Sequence, residues 1–298
     1  MIVAVKPVKE KWLPWLFITP ASLAFLLFMF WPLVYTIYLS LLKWNMVAPI
    51  KVPVGLANYL EVLTDPVTLK LFANTALYLV ILIVLNFLVP YVFAFVNTFV
   101  MKGGKGIYKI LLFMPSLISL VVGAIILQWL FNPVSGPLGL LLAEVGVILP
   151  AWSKTNGLVI VVISLVAVFK TFGYNFLVLL SGMGNVSTEL IEAARLKKTP
   201  NRYIFSKIVM SLTSSTAVYV FIMSMVQGLQ YVFTPIKVLT QGGPNNASSN
   251  IIYGVYQEAF GYYNTGKASA LSILTLSLFV LLLVLEFKYV EKGVYYEN

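Results

Sequence analysis

The chain has 298 residues, of which 60% are apolar, 14% aromatic and only 10% charged. A water-soluble domain carries about 25% charged residues, so this composition excludes an ordinary soluble fold and points to lipid as the solvent. The absence of Cys and His removes disulfides, thiolate nucleophiles and imidazole-based acid–base or metal sites, and the net charge of +10 is read as topology-setting Lys and Arg rather than as a nucleic-acid surface.

A bilayer core of ~30 Å needs ~20 apolar residues per helix. Six runs meet this in chain order: 13–42, 69–100, 108–131, 157–181, 205–234 and 268–287. The first is too long for a cleaved signal peptide and has no small-x-small cleavage site after it, so it is expected to remain as an anchor. No hydrophilic stretch is long enough for a separate soluble unit. The expected fold is all-α, a single polytopic membrane domain over residues 1–298 with about six transmembrane helices.

Lys and Arg divide unevenly between alternate loops. One set holds 13 of them: Lys6, Lys9, Lys11, Lys102, Lys105, Lys109, Arg195, Lys197, Lys198, Arg202, Lys207, Lys288 and Lys292. The other holds six: Lys43, Lys51, Lys70, Lys154, Lys237 and Lys267, with Lys170 inside a helix. The positive-inside rule puts the first set in the cytoplasm together with both termini, and puts the 43–68, 132–156 and 235–267 loops outside. Trp12, Trp15, Trp31, Trp44, Trp129 and Trp152 fall near predicted helix ends and are expected as interfacial anchors.

The loop at 182–207 is the most informative stretch. Asn185 is a candidate N-cap, Glu189 sits in the first turns where the helix dipole favours an acid, and Pro200 stops the helix. An amphipathic helix over 186–198 is expected, with Val186, Leu190, Ala193 and Ala194 on one side and Arg195, Lys197 and Lys198 at its C-terminal end. On physical grounds two readings stand: a helix docking into a partner's groove, or an interfacial helix among lipid headgroups.

The segment Glu189-Leu190-Ile191-Glu192-Ala193-Ala194, followed by Phe205, Ile208 and Leu212, resembles the EAA loop of binding-protein-dependent ABC importer permeases. Val54-Gly55-Leu56-Ala57-Asn58-Tyr59, Asp65-Pro66, Asn74-Thr75, Pro115, Trp129–Gly136 and Leu239-Thr240-Gln241-Gly242-Gly243-Pro244 extend the similarity to the maltose-type carbohydrate-uptake branch, over about residues 12–290. The resemblance implies the type I ABC importer transmembrane fold. It also implies that the 182–204 loop carries a coupling helix in which Glu189, Leu190, Glu192, Ala193, Ala194, Arg195 and Lys198 meet the ATPase. Lys198 stands where the family usually has Gly, Lys197 where it has Asp, and Ser211 where it has Pro. A Lys at positive φ costs on the order of 1 kcal/mol relative to Gly.

No GxxxxGK[ST] motif occurs; Gly103-Gly104-Lys105-Gly106 has the wrong spacing and reads as a turn. The chain is therefore expected to have no catalytic residues, metal or cofactor of its own, with ATP and Mg on partner chains. The resemblance implies a homologous second permease, two ATPase subunits and an external solute-binding protein, in the cytoplasmic membrane of a bacterium or archaeon. Helices four and five supply polar and aromatic groups at membrane depth: Lys170, Tyr174 and Asn175, then Ser224, Gln227, Gly228, Gln230 and Tyr231. The family's substrate contacts fall on these stretches, and the alternative for each polar group is helix–helix hydrogen bonding. Lys170 is expected to face a cavity or a partner, since an unpaired ammonium in lipid is costly. The expected solute is an oligosaccharide or related polyol. A non-sugar solute such as glycerol phosphate is the second reading, and a polytopic membrane enzyme or assembly factor the third.

Overall fold

The computed structural model describes residues 13–289. Among the described residues five helices are long and apolar enough to cross a membrane: Pro14–Ser40, Pro66–Val100, Leu158–Gly184, Ser214–Thr240 and Thr265–Val284. Lys105–Leu117 and Leu120–Leu130 meet the same criterion only when taken together, as a pair bent by 104°. Here the structure corrects the expectation of one continuous helix over 108–131. Ser119 interrupts the run in an extended conformation and its hydroxyl caps the second piece at Val122 N. The expected 205–234 helix is likewise interrupted, at Thr213 (φ −104°, ψ 16°). The Thr213 hydroxyl turns back to the Val209 carbonyl at 2.7 Å and meets the Tyr91 hydroxyl.

The described residues fall into two compact units, one from residues up to 62 with 257–274, the other from 63–256 with residues from 275 onward. In the first unit a short antiparallel ribbon pairs Leu42 with Pro53 and Lys43 with Val52. Asn58 Nδ2 donates to the carbonyls of Ser40 (2.7 Å) and Leu42 (2.9 Å), which closes the Val54–Tyr59 segment onto the end of the first helix. Lys267, with its side chain 10% exposed, lies 3.2 Å from both Glu61 and Glu258, so this buried cation is paired twice. Gly266 tolerates no side chain there, because a Cβ would stand 2.0 Å from the Leu42 carbonyl.

In the second unit, the second, fourth and fifth spans share two apolar clusters. One contains Tyr78, Leu82, Ile160, Ile163, Leu229 and Val232; the other contains Tyr91, Phe95, Phe176, Leu179, Val209 and Val220. Between them lies a polar layer. Asn175 Nδ2 donates to the Asn86 carbonyl (2.8 Å) and to Ser224 Oγ (3.1 Å), and Ser224 also reaches the Asn86 carbonyl. Asn86 sits in a π-helical turn, Val84–Leu88. Among the described residues its side-chain amide has no partner, nor has Asn175 Oδ1.

The 239–250 loop folds back onto the second span. Lys70 and Asn74 donate to the carbonyls of Asn245, Asn246 and Ser249, and Tyr78 donates to that of Ser248, all at 2.7–2.9 Å. Gln241, Asn245 and Asn246 adopt positive φ, a conformation Asn tolerates better than most residues, and the bonds to the Asn245 and Asn246 carbonyls hold it there. Trp152 is buried in the first cluster and Trp31 lies well inside the first helix, so neither is the helix-end anchor expected of it. Trp15 and Trp129 are exposed. Trp12, Lys6, Lys9, Lys11, Lys292 and the termini lie outside the described residues.

Candidate functional site

The bend in the third span positions the first site. Breaking a helix leaves carbonyls without intrahelical donors, and here Lys170 of the fourth span supplies them. Its Nζ donates to the Ser116 carbonyl at 2.6 Å and to the Ile118 carbonyl at 3.0 Å. Close approach is permitted by Gly173, one turn further along, where a Cβ would meet the Leu112 carbonyl at 2.5 Å. Beside this junction opens a cavity of about 370 Å³ lined by Phe113, Ser116, Lys170, Thr171, Tyr174, Gln227 and Tyr231. Lys170 is near the middle of the Leu158–Gly184 helix and Gln227 at the middle of Ser214–Thr240, so the cavity sits at membrane depth.

Four of the eight expected pathway residues, Lys170, Tyr174, Gln227 and Tyr231, are thus brought together. Tyr174 is 42% exposed, and its hydroxyl is 3.4 Å from that of Tyr219. The other four do not line the cavity. Asn175 and Ser224 belong to the buried polar layer, Gly228 is a packing position with Leu82 Cδ1 2.9 Å from a Cβ there, and the exposed Gln230 lies elsewhere on its helix. Sequence reasoning missed Phe113 and Ser116, which reach the cavity only because the third span breaks. Pro115 beside Ser116 and Ser119 was the available signal.

The second site is the helix Thr188–Leu196. It starts later than expected: Ser187 precedes it, and Asn185 instead ends the preceding helix. Its inward face is Ile191 and Ala194, not Leu190 and Ala193, and Val186 just before the helix is buried beside them. Glu189, Leu190, Glu192, Ala193 and Arg195 are all exposed, and Leu190 and Leu196 are 51% and 86% exposed, an apolar strip facing away from the chain. At the C-terminus Lys198 N donates to the Arg195 carbonyl and Thr199 N to the Ala194 carbonyl, with Lys198 at φ 57°. This is a Schellman turn with Lys at the position glycine favours, so the expected cost is present and Pro200 follows without relieving it. Arg195 donates to the Phe99 carbonyl and Lys105 Nζ to that of Thr98 at 2.8 Å, tying this helix and the start of Lys105–Leu117 to the end of the second span. Glu192, Arg195, Lys102 and Lys105 share an open cavity of about 430 Å³.

No family model matches the chain. Among curated proteins it is 30% identical over 288 residues to the probable ABC transporter permease protein YurN of Bacillus subtilis, spanning 96% of this chain and 98% of that one. It is 28% identical over 287 residues to the sn-glycerol-3-phosphate transport system permease protein UgpA of Agrobacterium fabrum, with 96% and 97% covered. Of the solved structures, a chain of a bacterial ABC transporter for import of the acidic polysaccharide alginate superposes with a TM-score of 0.81 at 16% identity, covering 95% of this chain and 96% of that one. The chain belongs to the ABC transporter permease family, as a multi-pass membrane transport subunit with the ABC importer permease fold.

Proposed function

We propose that this chain is one permease subunit of an importer that moves a carbohydrate, an oligosaccharide or related polyol, across the cytoplasmic membrane of a bacterium or archaeon. The observation that carries the reading is the membrane-depth cavity in which two tyrosines stand beside Gln227 and Lys170. Aromatic faces give a sugar an apolar platform, and amide and ammonium groups give its hydroxyls partners. Glycerol phosphate is the second reading, favoured by the sn-glycerol-3-phosphate permeases among the relatives.

The reading extends to the assembly. A homologous second permease completes the path, an external binding protein delivers the solute, and two ATPase subunits bind ATP and Mg. The Leu190, Ala193 and Leu196 strip of the Thr188–Leu196 helix is left uncovered by this chain and is the surface we assign to ATPase docking, the alternative being lipid headgroups. Glu189, Glu192, Arg195 and Lys198 then set its charge and end geometry, with both termini and the 182–204 loop cytoplasmic. All parts of the chain act as a single permease domain.

Tyr174→Ala is the test. Removing one aromatic contact at a binding site typically costs ~1–3 kcal/mol, about ten- to a hundredfold. Uptake in liposomes holding the whole complex should fall by that factor while the ATPase subunits stay attached. Full uptake by Tyr174→Ala combined with Tyr231→Ala would place the solute elsewhere.

A further inference from the structure

The cavity beside the third-span bend contains a full positive charge and no negative one. Lys170 makes no ion pair among the described residues, and every other lining side chain, from Phe113 and Ser116 to Gln227 and Tyr231, is uncharged. An ammonium has three donor hydrogens, and the Ser116 and Ile118 carbonyls account for two. Those carbonyls are dipoles: they solvate the charge without cancelling it. Donating to carbonyls does not in itself require a charge, and a cation halfway through the membrane is costly. The retained charge needs a different explanation.

We propose that the translocated solute carries an oxyanion, a carboxylate or phosphate on a sugar or polyol, and that Lys170 is the residue that recognises it. The proposal rests on the reading of this cavity as part of the translocation path and adds the charge of the substrate to it. An arriving oxyanion takes the third ammonium hydrogen in a charge-assisted hydrogen bond, the strong kind. Tyr174 and Tyr231 offer faces for the ring, and Gln227 offers both a donor and an acceptor for hydroxyls. A neutral sugar gains the stacking but leaves the charge uncompensated, so the site discriminates by charge before shape.

The test is binding and uptake by the complete complex with two matched probe pairs: an oligouronide against its carboxyl-reduced neutral counterpart, and sn-glycerol 3-phosphate against glycerol. The first pair reports on a carboxylate and the second on a phosphate. The native chain should favour the anionic member of one pair by at least about tenfold, the scale of one charge-assisted bond. Lys170→Gln should erase that preference, and Lys170→Arg should keep it. Co-purification of the ATPase subunits with each variant shows that the complex has assembled; if Lys170→Gln does not assemble, the Arg variant and the native preference still decide. Equal or better handling of the neutral probes by the native chain overturns the proposal, as does a preference that survives in Lys170→Gln. Tyr174→Ala separates the two readings. If it weakens both members of a pair alike and no charge preference exists, the cavity is the path and the anion proposal fails. If Tyr174→Ala combined with Tyr231→Ala changes neither, the path reading itself fails.

Discussion

Replacing Gly173 by Ala tests whether the bend in the third span is held by contact with the fourth. The new methyl would stand 2.5 Å from the Leu112 carbonyl, 2.7 Å from Phe113 Cα and 2.7 Å from Ser116 Oγ. A serine hydroxyl can rotate away, but the other two are backbone atoms. An ordinary C···O approach is about 3.3 Å, so the Leu112–Ser116 turn must retreat by roughly 0.8 Å. Overpacking of this kind costs ~1–3 kcal/mol, and contact with backbone places it in the upper half of that range. Ala returns about 1 kcal/mol as the better helix former, leaving a net loss of about 1–2 kcal/mol. Gly123→Ala is the matched control: its methyl meets only Phe169 Cδ1, at an ordinary 3.4 Å, so the propensity gain of about 1 kcal/mol stands alone. Thermal unfolding of the purified complex should therefore move in opposite directions for the two variants, and only Gly173→Ala should reduce uptake, since Phe113 and Ser116 line the cavity. If both variants raise the melting temperature, the close approach at Gly173 is not structural and the reasoning fails.

Two further outcomes follow from the helix after the fourth span. Lys198→Gly should relieve a left-handed residue and stabilise the Schellman turn by about 1 kcal/mol, seen as roughly fivefold slower amide exchange at Lys198 and Thr199; unchanged or faster exchange would contradict it. Single cysteines introduced into this Cys-free chain map its sidedness. Residue 195 should resist a membrane-impermeant thiol reagent added to sealed cells while residue 51 reacts, and external labelling at 195 would reverse the assigned topology.

The crossing helices were legible in the sequence because each burial requirement is local: twenty apolar residues in a row need no knowledge of their neighbours. The exposed helix at 188–196 was legible too, through its acid near the start, its basic end and Pro200. What escaped had its cause elsewhere in the chain. The helix break after Leu117 is supported by Lys170, over fifty residues away in sequence, which donates to the freed carbonyls. Thr213 interrupts the fifth span against a hydroxyl from Tyr91. For Asn175 and Ser224 the sequence leaves two roles, a solute contact or hydrogen bonding between helices, because polar side chains in lipid demand partners. The partner they found is the backbone carbonyl of Asn86, which carries no signal in residue type. Leu190 and Ile191 point about 100° apart on any helix, and the pair that packs inward is Ile191 with Ala194.

The polar layer between the two apolar clusters also fixes something those clusters cannot. In hydrocarbon, one leucine against another is scarcely better placed than a leucine against a lipid tail, so smooth apolar helices could slide along one another at little expense. A hydrogen bond at 2.8 Å from Asn175 to a single carbonyl on the second span, seconded by Ser224 from the fifth, is directional and allows no such slippage. These three helices are keyed at one height, like shafts pinned through a common collar, and tilting about that height costs less than axial displacement.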